Sequence, residues 1–453
     1  MPEGQGPSSR SPETRAMPIP IPALLATSAL ASFRVLHAFS LGFPSAGGLP
    51  SGSLIEDSRG VLYGTAAVGG PSDLSYGGVA FALTPASGGR YTYSVLHYFT
   101  GDAHSRDGAQ PGSGLVADAA GNLFGTTVYG GASAGAGAGT VFELVRSGSR
   151  YTERILYRFT GGSLSSDGAL PAAAPLIDAH GSLFGTTASG GGRGSCEVAG
   201  PNCGTVWELE NAGGHYVEHI LYRFAGGSDG ATPQAPLIAD AHGSLYGTTQ
   251  YGGLPCADAK VLGCGTVFRL TPHAGGYVGT TLYRFRGGAT DGVAPLAGLV
   301  ADRSGNFYGT TDTGGAGICA AGLFYHPSCG TVFELQAQGS RYVEFVLHNF
   351  IGGGGDGYRP ESALVPGPGG LLYGTTAEGG PDTCFVYAGY NFGCGTVYAV
   401  SPIGGVTILH DFGPGAAGYD PNGLLIDRNG RIFGSTSGNW GTGGGAIFEI
   451  GGG

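Results

Sequence analysis

Charge is scarce in this chain: Asp, Glu, Lys and Arg together make up only 12% of the sequence, and no cluster of Lys or Arg occurs along it. A nucleic-acid-binding surface needs a basic footprint that displaces counterions from phosphate, so a formal net charge of −11 excludes that class. The same sign disfavours anionic membrane surfaces. Helical periodicity is missing beyond residue 31. No continuous apolar run approaches the ~18 residues of a membrane span, so no transmembrane segment is expected. An acidic loop of EF-hand type is absent, and no Ser/His/Asp grouping with nucleophile-elbow glycine spacing emerges.

What the chain does hold is glycine, 93 residues of it, beside 41% apolar and 10% aromatic residues. Disordered chains lack that apolar content, so a packed core is expected. Glycine and proline spread between short apolar runs indicate many strands and many turns, hence an all-β fold. At the N-terminus, Arg10 and Arg15 precede a short apolar stretch, residues 17–31, that ends in Ala-x-Ala. This pattern predicts a signal peptide or leader over 1–31, cleaved after Ala31, and a secreted, periplasmic or cell-surface protein over 32–453.

The motif Leu/Phe-Tyr/Phe-Gly-Thr-Thr recurs with central glycines Gly64, Gly125, Gly185, Gly247, Gly309, Gly374 and Gly434, spaced by 61, 60, 62, 62, 65 and 60 residues. A near-constant period marks a repeat architecture. Each period holds four strand-like runs, exemplified in the second unit by residues 114–118 (strand a), 122–127 (b), 139–144 (c) and 151–159 (d), with Ala-Ala-Gly and Ser-Gly-Ser as turns. Four short antiparallel strands per repeat predict the blade of a seven-bladed β-propeller. The last unit stops after strand c, at 446–450, while residues 33–39 (Phe-Arg-Val-Leu-His-Ala-Phe) resemble the strand d text of residues 93–99. The N-terminal strand is therefore expected to complete the seventh blade and close the ring.

A repeat reading Leu-Tyr-Gly-Thr-Thr-x-x-Gly-Gly, followed by Gly-Thr-Val-Phe-x-Leu, resembles the bacterial GloVer tandem-repeat family over residues 33–450. The resemblance implies an exported or surface-anchored protein and brings no activity with it. The chain ends directly after strand c, so the C-terminal anchor of some relatives is not expected here.

All eight cysteines fall in the b–c loops of units three to six, and the second of each pair directly precedes Gly-Thr-Val or Gly-Thr-Val-like text. The pairing expected is Cys196–Cys203, Cys256–Cys264, Cys319–Cys329 and Cys384–Cys394. Zinc is the rival, but six to nine intervening residues are not zinc-ribbon spacings. Repeat-locked position and an export signal favour disulfides, each rigidifying a small loop.

The b–c loops and the d–a crossings share one face of a propeller, and long loops on a rigid scaffold are where binding usually resides. Two features occupy that face. Asp-Gly-x-x-Pro follows strand d at Asp107, Asp167, Asp229, Asp291 and Asp356, with a degenerate Tyr419-Asp420-Pro421. Its recurrence points to an Asx-turn, the carboxylate accepting backbone N–H bonds and the glycine taking an unusual dihedral. The second feature breaks the repeat: Phe324, Tyr325 and His326 in unit five, Phe385, Tyr387, Tyr390, Asn391 and Phe392 in unit six, and Asn439 and Trp440 in unit seven. Exposed, these rings would suit stacking on sugar or anchoring a protein; folded inward, they would pack their own loops. The ligand-binding residues expected are Phe324, Tyr325, Phe385, Tyr387, Tyr390, Phe392 and Trp440.

Catalysis finds little footing. The other loop carboxylates, Glu197, Asp258, Glu378 and Asp382, are scattered over different blades, and His180 and His242 occupy equivalent turns. No catalytic residue, metal or cofactor is expected. The reading is a monomeric exported binding or scaffold module for carbohydrate or an extracellular protein. The alternatives are a polysaccharide-acting hydrolase or lyase with its site at the axial end of the loop face, and a purely structural surface protein.

Overall fold

The computed structural model describes residues 32–40, 46–70, 77–101, 107–131, 137–161, 167–192, 203–253, 263–319, 328–352, 355–387, 390–415, 417–438 and 444–451, with Cys196 and Cys256. The leader expected over 1–31 lies outside them. Seven four-stranded antiparallel sheets form the blades of a β-propeller. Six run consecutively in the order a-b-c-d, as in Val116–Ala117, Leu123–Thr127, Thr140–Ser147 and Arg150–Arg158 of blade 2. The seventh takes Pro421–Ile426, Ile432–Thr436 and Ala446–Ile450 from the end of the chain and Phe33–Ala38 from its beginning. Phe33 pairs with Ile450 and Ala38 with Ala446, and Arg34 forms an ion pair with Glu449 across that seam. The composite blade read from the sequence is thus the observed closure. Among the described residues no helix is long and apolar enough to cross a membrane.

Every residue of the repeated motif has a separate task. Strand b is buried along its whole length, because adjacent blades cover both of its faces. Its central glycine is imposed by packing: the strand c aromatic lies directly across it, Gly125 opposite Phe142 and Gly185 opposite Trp207. A Cβ at Gly125 would stand 2.6 Å from Phe142 Cζ, and one at Gly185 2.3 Å from Trp207 Cζ2.

The two threonines divide the hydrogen bonding. The first reaches the next blade: Thr126 Oγ1 donates to Ala173 O (3.0 Å), Thr186 to Ala235 O (3.2 Å) and Thr248 to Ala297 O (3.1 Å). Ser435 to Gly52 O (3.4 Å) continues the pattern across the closing seam. The second bonds within the blade, Thr127 Oγ1 to Thr140 Oγ1 at 2.8 Å and Thr249 to Thr266 at 2.7 Å. In blade 1 both partners of that pair are apolar, Ala66 opposite Val79, so no hydroxyl is stranded.

Between blades, the phenylalanine ending strand d packs on the strand c aromatic of the next blade. Phe224 meets Phe268 at 5.1 Å and Phe285 meets Phe333 at 5.1 Å. Phe39, from the N-terminal strand, meets Phe81 at 5.5 Å and carries the same contact around the closure.

Candidate functional site

The four disulfides are Cys196–Cys203, Cys256–Cys264, Cys319–Cys329 and Cys384–Cys394, with Cα separations of 5.4, 5.1, 5.4 and 5.1 Å. The second cysteine of each pair is wholly buried at the foot of strand c. Its carbonyl receives an N–H from the next blade: Thr232 N to Cys203 O, Ala294 N to Cys264 O, Arg359 N to Cys329 O and Asp420 N to Cys394 O. The bridges therefore clamp the loop face at the blade junctions.

Those donors precede a proline, and here the turn differs from its sequence reading. The recurring aspartate does accept backbone hydrogens, as in Thr160 N to Asp167 and Arg286 N to Asp291, both at 2.8 Å. The left-handed residue common to every blade, however, is the one before proline: Leu49, Gln110, Leu170, Thr232, Ala294, Arg359 and Asp420, with φ from 53° to 60°. It must point its N–H at the preceding blade while its carbonyl receives the N–H after strand b, as Thr232 O does from Gln250. Non-glycine residues pay about 1–2 kcal/mol for that conformation, and the two inter-blade bonds hold it.

The same turn delivers side chains to the axis, where residues of all seven blades line a cavity of about 510 Å³. At the position after proline, five of the lining segments supply small or uncharged residues, such as Gly112, Ala172 and Leu296. Charge enters on one side only: Glu361 of blade 6 and Asp420 of blade 7 face the cavity, with Ser362 and Asn422 beside them and Gln234 across it. Behind Glu361 stands Arg359, whose guanidinium pairs with Asp312 (3.1 Å), Glu361 (2.5 Å) and Glu378 (2.8 Å). Burial works against the Arg359 charge, but the carboxylates of Glu361, Asp312 and Glu378 outweigh it and raise its pKa. Burial holds Glu361 well above the usual carboxylate range, Asp312 adding to the effect and Arg359 opposing it. Asp420 is pushed up to about 6, again by burial and against the pull of Arg359. Glu361 keeps about 35% of its side-chain surface open, while its Oε1 is buried against Arg359. The pocket therefore presents two carboxyl groups from adjacent blades, both shifted upward by burial.

Of the aromatic residues expected to bind ligand, Phe324, Tyr325 and Trp440 lie outside the described residues, as do His326 and Asn439. Phe385 and Tyr387 fall on Thr383–Tyr387, and Tyr390 and Phe392 on Tyr390–Gly393; these strands form a hairpin. Phe392 is buried, at 9% exposed. The hairpin rises beside the charged cluster, since Gly393 lies against Gly379, next to Glu378. Of the scattered carboxylates, Glu378 joins the cluster, while Glu197 and Asp258 lie outside the described residues. The sequence reading passed over Arg359 and Glu361 and took Asp420 for a degenerate turn aspartate. Aligning the seven x-Pro-x triplets would have found them, because only Arg-Pro-Glu and Asp-Pro-Asn among these carry charge.

The family model described as the Gloeobacter/Verrucomicrobia repeat matches residues 25–254 and 256–452. No curated protein matches the sequence. Among solved structures, a protein of Bacteroides uniformis provisionally named 6-phosphogluconolactonase is 13% identical with a TM-score of 0.49, over 83% of this chain and 88% of that one. A gluconolactonase of Xanthomonas campestris is 14% identical with a TM-score of 0.37, over 69% and 78%. A protein of unknown function from Dyadobacter fermentans is 11% identical with a TM-score of 0.40, over 92% and 99%. At these values none of them carries an argument for this chain.

Proposed function

This chain belongs to the Gloeobacter/Verrucomicrobia repeat family, and we propose that within it the protein is an exported binding module whose ligand, a neutral hydroxyl-rich molecule of the carbohydrate class, enters the axial pocket on the loop face. One observation carries this reading: a scaffold that repeats itself seven times breaks its symmetry at the axis by placing Glu361, Asp420 and Asn422 on two adjacent blades. A symmetric core has no need of recessed acids there, and keeping them costs folding energy. Convergent carboxyl and amide groups in a concave site suit paired hydroxyls, which donate and accept at once. In this reading Phe385, Tyr387 and Tyr390 of the hairpin, together with Phe324, Tyr325 and Trp440, would supply a stacking surface. Four disulfides support an oxidising destination.

A second reading has its own support. Two carboxyl groups on neighbouring blades are the parts of a glycoside hydrolase or lyase. A glycan array followed by calorimetry separates the two. A module binds without product release and loses at least about tenfold in affinity in Glu361→Gln, Asp420→Asn or a Tyr387→Ala/Tyr390→Ala double variant. Release of shorter sugars, abolished in Glu361→Gln, would replace binding by hydrolysis. Unchanged affinity in the pocket variants would remove the axial site from consideration.

A further inference from the structure

Away from the axis, five of the outer seams between blades repeat one arrangement. The residue two before the final phenylalanine of strand d faces the aspartate of the following Asp-Gly turn and a residue of the next blade's strand d. At two seams this is a Tyr–Asp–Glu set. Tyr157 donates to Asp167 at 3.1 Å near Glu218, and Tyr283 donates to Asp291 at 3.0 Å near Glu344. Those hydroxyls hydrogen-bond the aspartate directly.

The seam between blades 1 and 2 is different. Histidine replaces tyrosine there, and His97, Asp107 and Glu153 bring one ligand atom each to within 4.8 Å of one another. His97 Nε2 stands 3.6 Å from Asp107 Oδ2 and 3.7 Å from Glu153 Oε2. Both separations are too long for hydrogen bonds. They are close to the ~3.4 Å between neighbouring ligands of a tetrahedral ion with bonds of about 2.0–2.1 Å. His97 Nε2 and Glu153 Oε1 are buried atoms without a hydrogen-bond partner. The frame is already set: the His97 ring packs edge-on against Phe99 at 4.7 Å, and Asp107 receives N–H bonds from Thr100 (3.0 Å) and Gly108 (2.6 Å).

We propose that His97, Asp107 and Glu153 form a binding site for one divalent ion of the zinc class, pinning strand d of blade 1 to blade 2. One imidazole and two carboxylates suit zinc. Calcium and magnesium prefer more oxygen ligands and no nitrogen. Three protein ligands leave a coordination position for water. His348 and Asp356 approach one another similarly at 3.4 Å, but the next strand d offers no carboxylate there, Val406 standing in the place of Glu153, so that seam lacks the third ligand.

The test uses the intact, untagged protein after chelator treatment. Zinc titration followed by calorimetry and elemental analysis should give one equivalent per chain, and cobalt in its place should show visible d–d absorption. His97→Tyr restores the residue that blades 2 to 4 carry at this position, so it is expected to fold. It should weaken zinc binding beyond the roughly 10–100-fold lost on changing a supporting residue, and erase the cobalt spectrum. Glu153→Gln should weaken binding in the same direction. Zinc should raise the unfolding temperature of the parent and not of His97→Tyr. Absence of zinc uptake by the parent, or an unchanged stoichiometry and cobalt spectrum in His97→Tyr, would overturn the assignment.

Discussion

Replacing Gly247 by alanine sets two physical effects against each other with opposite signs. On backbone grounds the change should help, since alanine restricts the unfolded chain and is worth about 0.4–1 kcal/mol where the conformation allows it. Gly247 sits in the middle of Leu245–Thr249 and needs no left-handed dihedral. Packing says the reverse. The new Cβ would lie 2.7 Å from Phe268 Cζ, 3.0 Å from Phe268 Cε1 and 2.9 Å from Leu237 Cδ2. Ordinary carbon contacts lie at about 3.5–4.0 Å, so two side chains must each yield nearly 1 Å. Neither has space, for Phe268 is 2% and Leu237 3% exposed, and the Phe268 ring is braced against Phe224. Overpacking of this kind costs about 1–3 kcal/mol, so a net loss of about 1–2 kcal/mol is expected. Chemical denaturation with disulfides intact measures it. The variant Phe268→Leu removes the colliding Cζ, so a Gly247→Ala/Phe268→Leu pair should be less destabilised than the two single losses added, by about 1 kcal/mol. A Gly247→Ala protein as stable as its parent, or more so, would refute the claim that the motif's glycine is there to receive an aromatic ring.

Three further outcomes are expected. Thr249→Ala should cost about 1–2 kcal/mol by stranding the Thr266 hydroxyl, and adding Thr266→Val should recover part of it, as the natural Ala66/Val79 pair of blade 1 suggests; denaturation midpoints of the three proteins decide. Asp420, held at about 6 against an ordinary 3.8, keeps a proton in the folded state that the unfolded chain has already released. Its contribution to stability therefore falls as pH rises from about 4 to 6, and Asp420→Asn should flatten that segment of the pH–stability curve and be the more stable protein at pH 7. Mass spectrometry of the mature protein should show a start near Ser32, no alkylatable thiol and the four bridged loops, whereas an intact leader with eight reactive cysteines would contradict export.

Much of the fold was legible because it is written seven times over. The spacing of Gly64 through Gly434 set the number of blades, and the strand-d text of residues 33–39 located the closure. The cysteine pairs were legible for the same reason: each occupies the same loop, and neighbours within one hairpin have few other partners to choose from. The axial site was harder to read. Asp420 looked like a worn copy of a turn aspartate, since its neighbours Tyr419 and Pro421 preserve part of that motif. Its side chain instead lines the axial cavity. Glu378 looked solitary because its partner Arg359 is 19 residues away, and only the register of Gly357–Tyr358 with Glu378–Gly379 brings them together.

The sequence by itself determined the all-β class, the count of seven, the composite last blade and the four disulfides, since each follows from local pattern repeated at a constant period. Tertiary structure alone decided which departures from the repeat meet. Positions about 60 residues apart become neighbours at the axis or along a seam once the ring closes, so Glu361 comes to share a cavity with Asp420, and His97 to face Glu153. Burial then changes how those groups behave: a carboxyl that would be an ordinary surface anion holds its proton to higher pH when protein replaces the water around it.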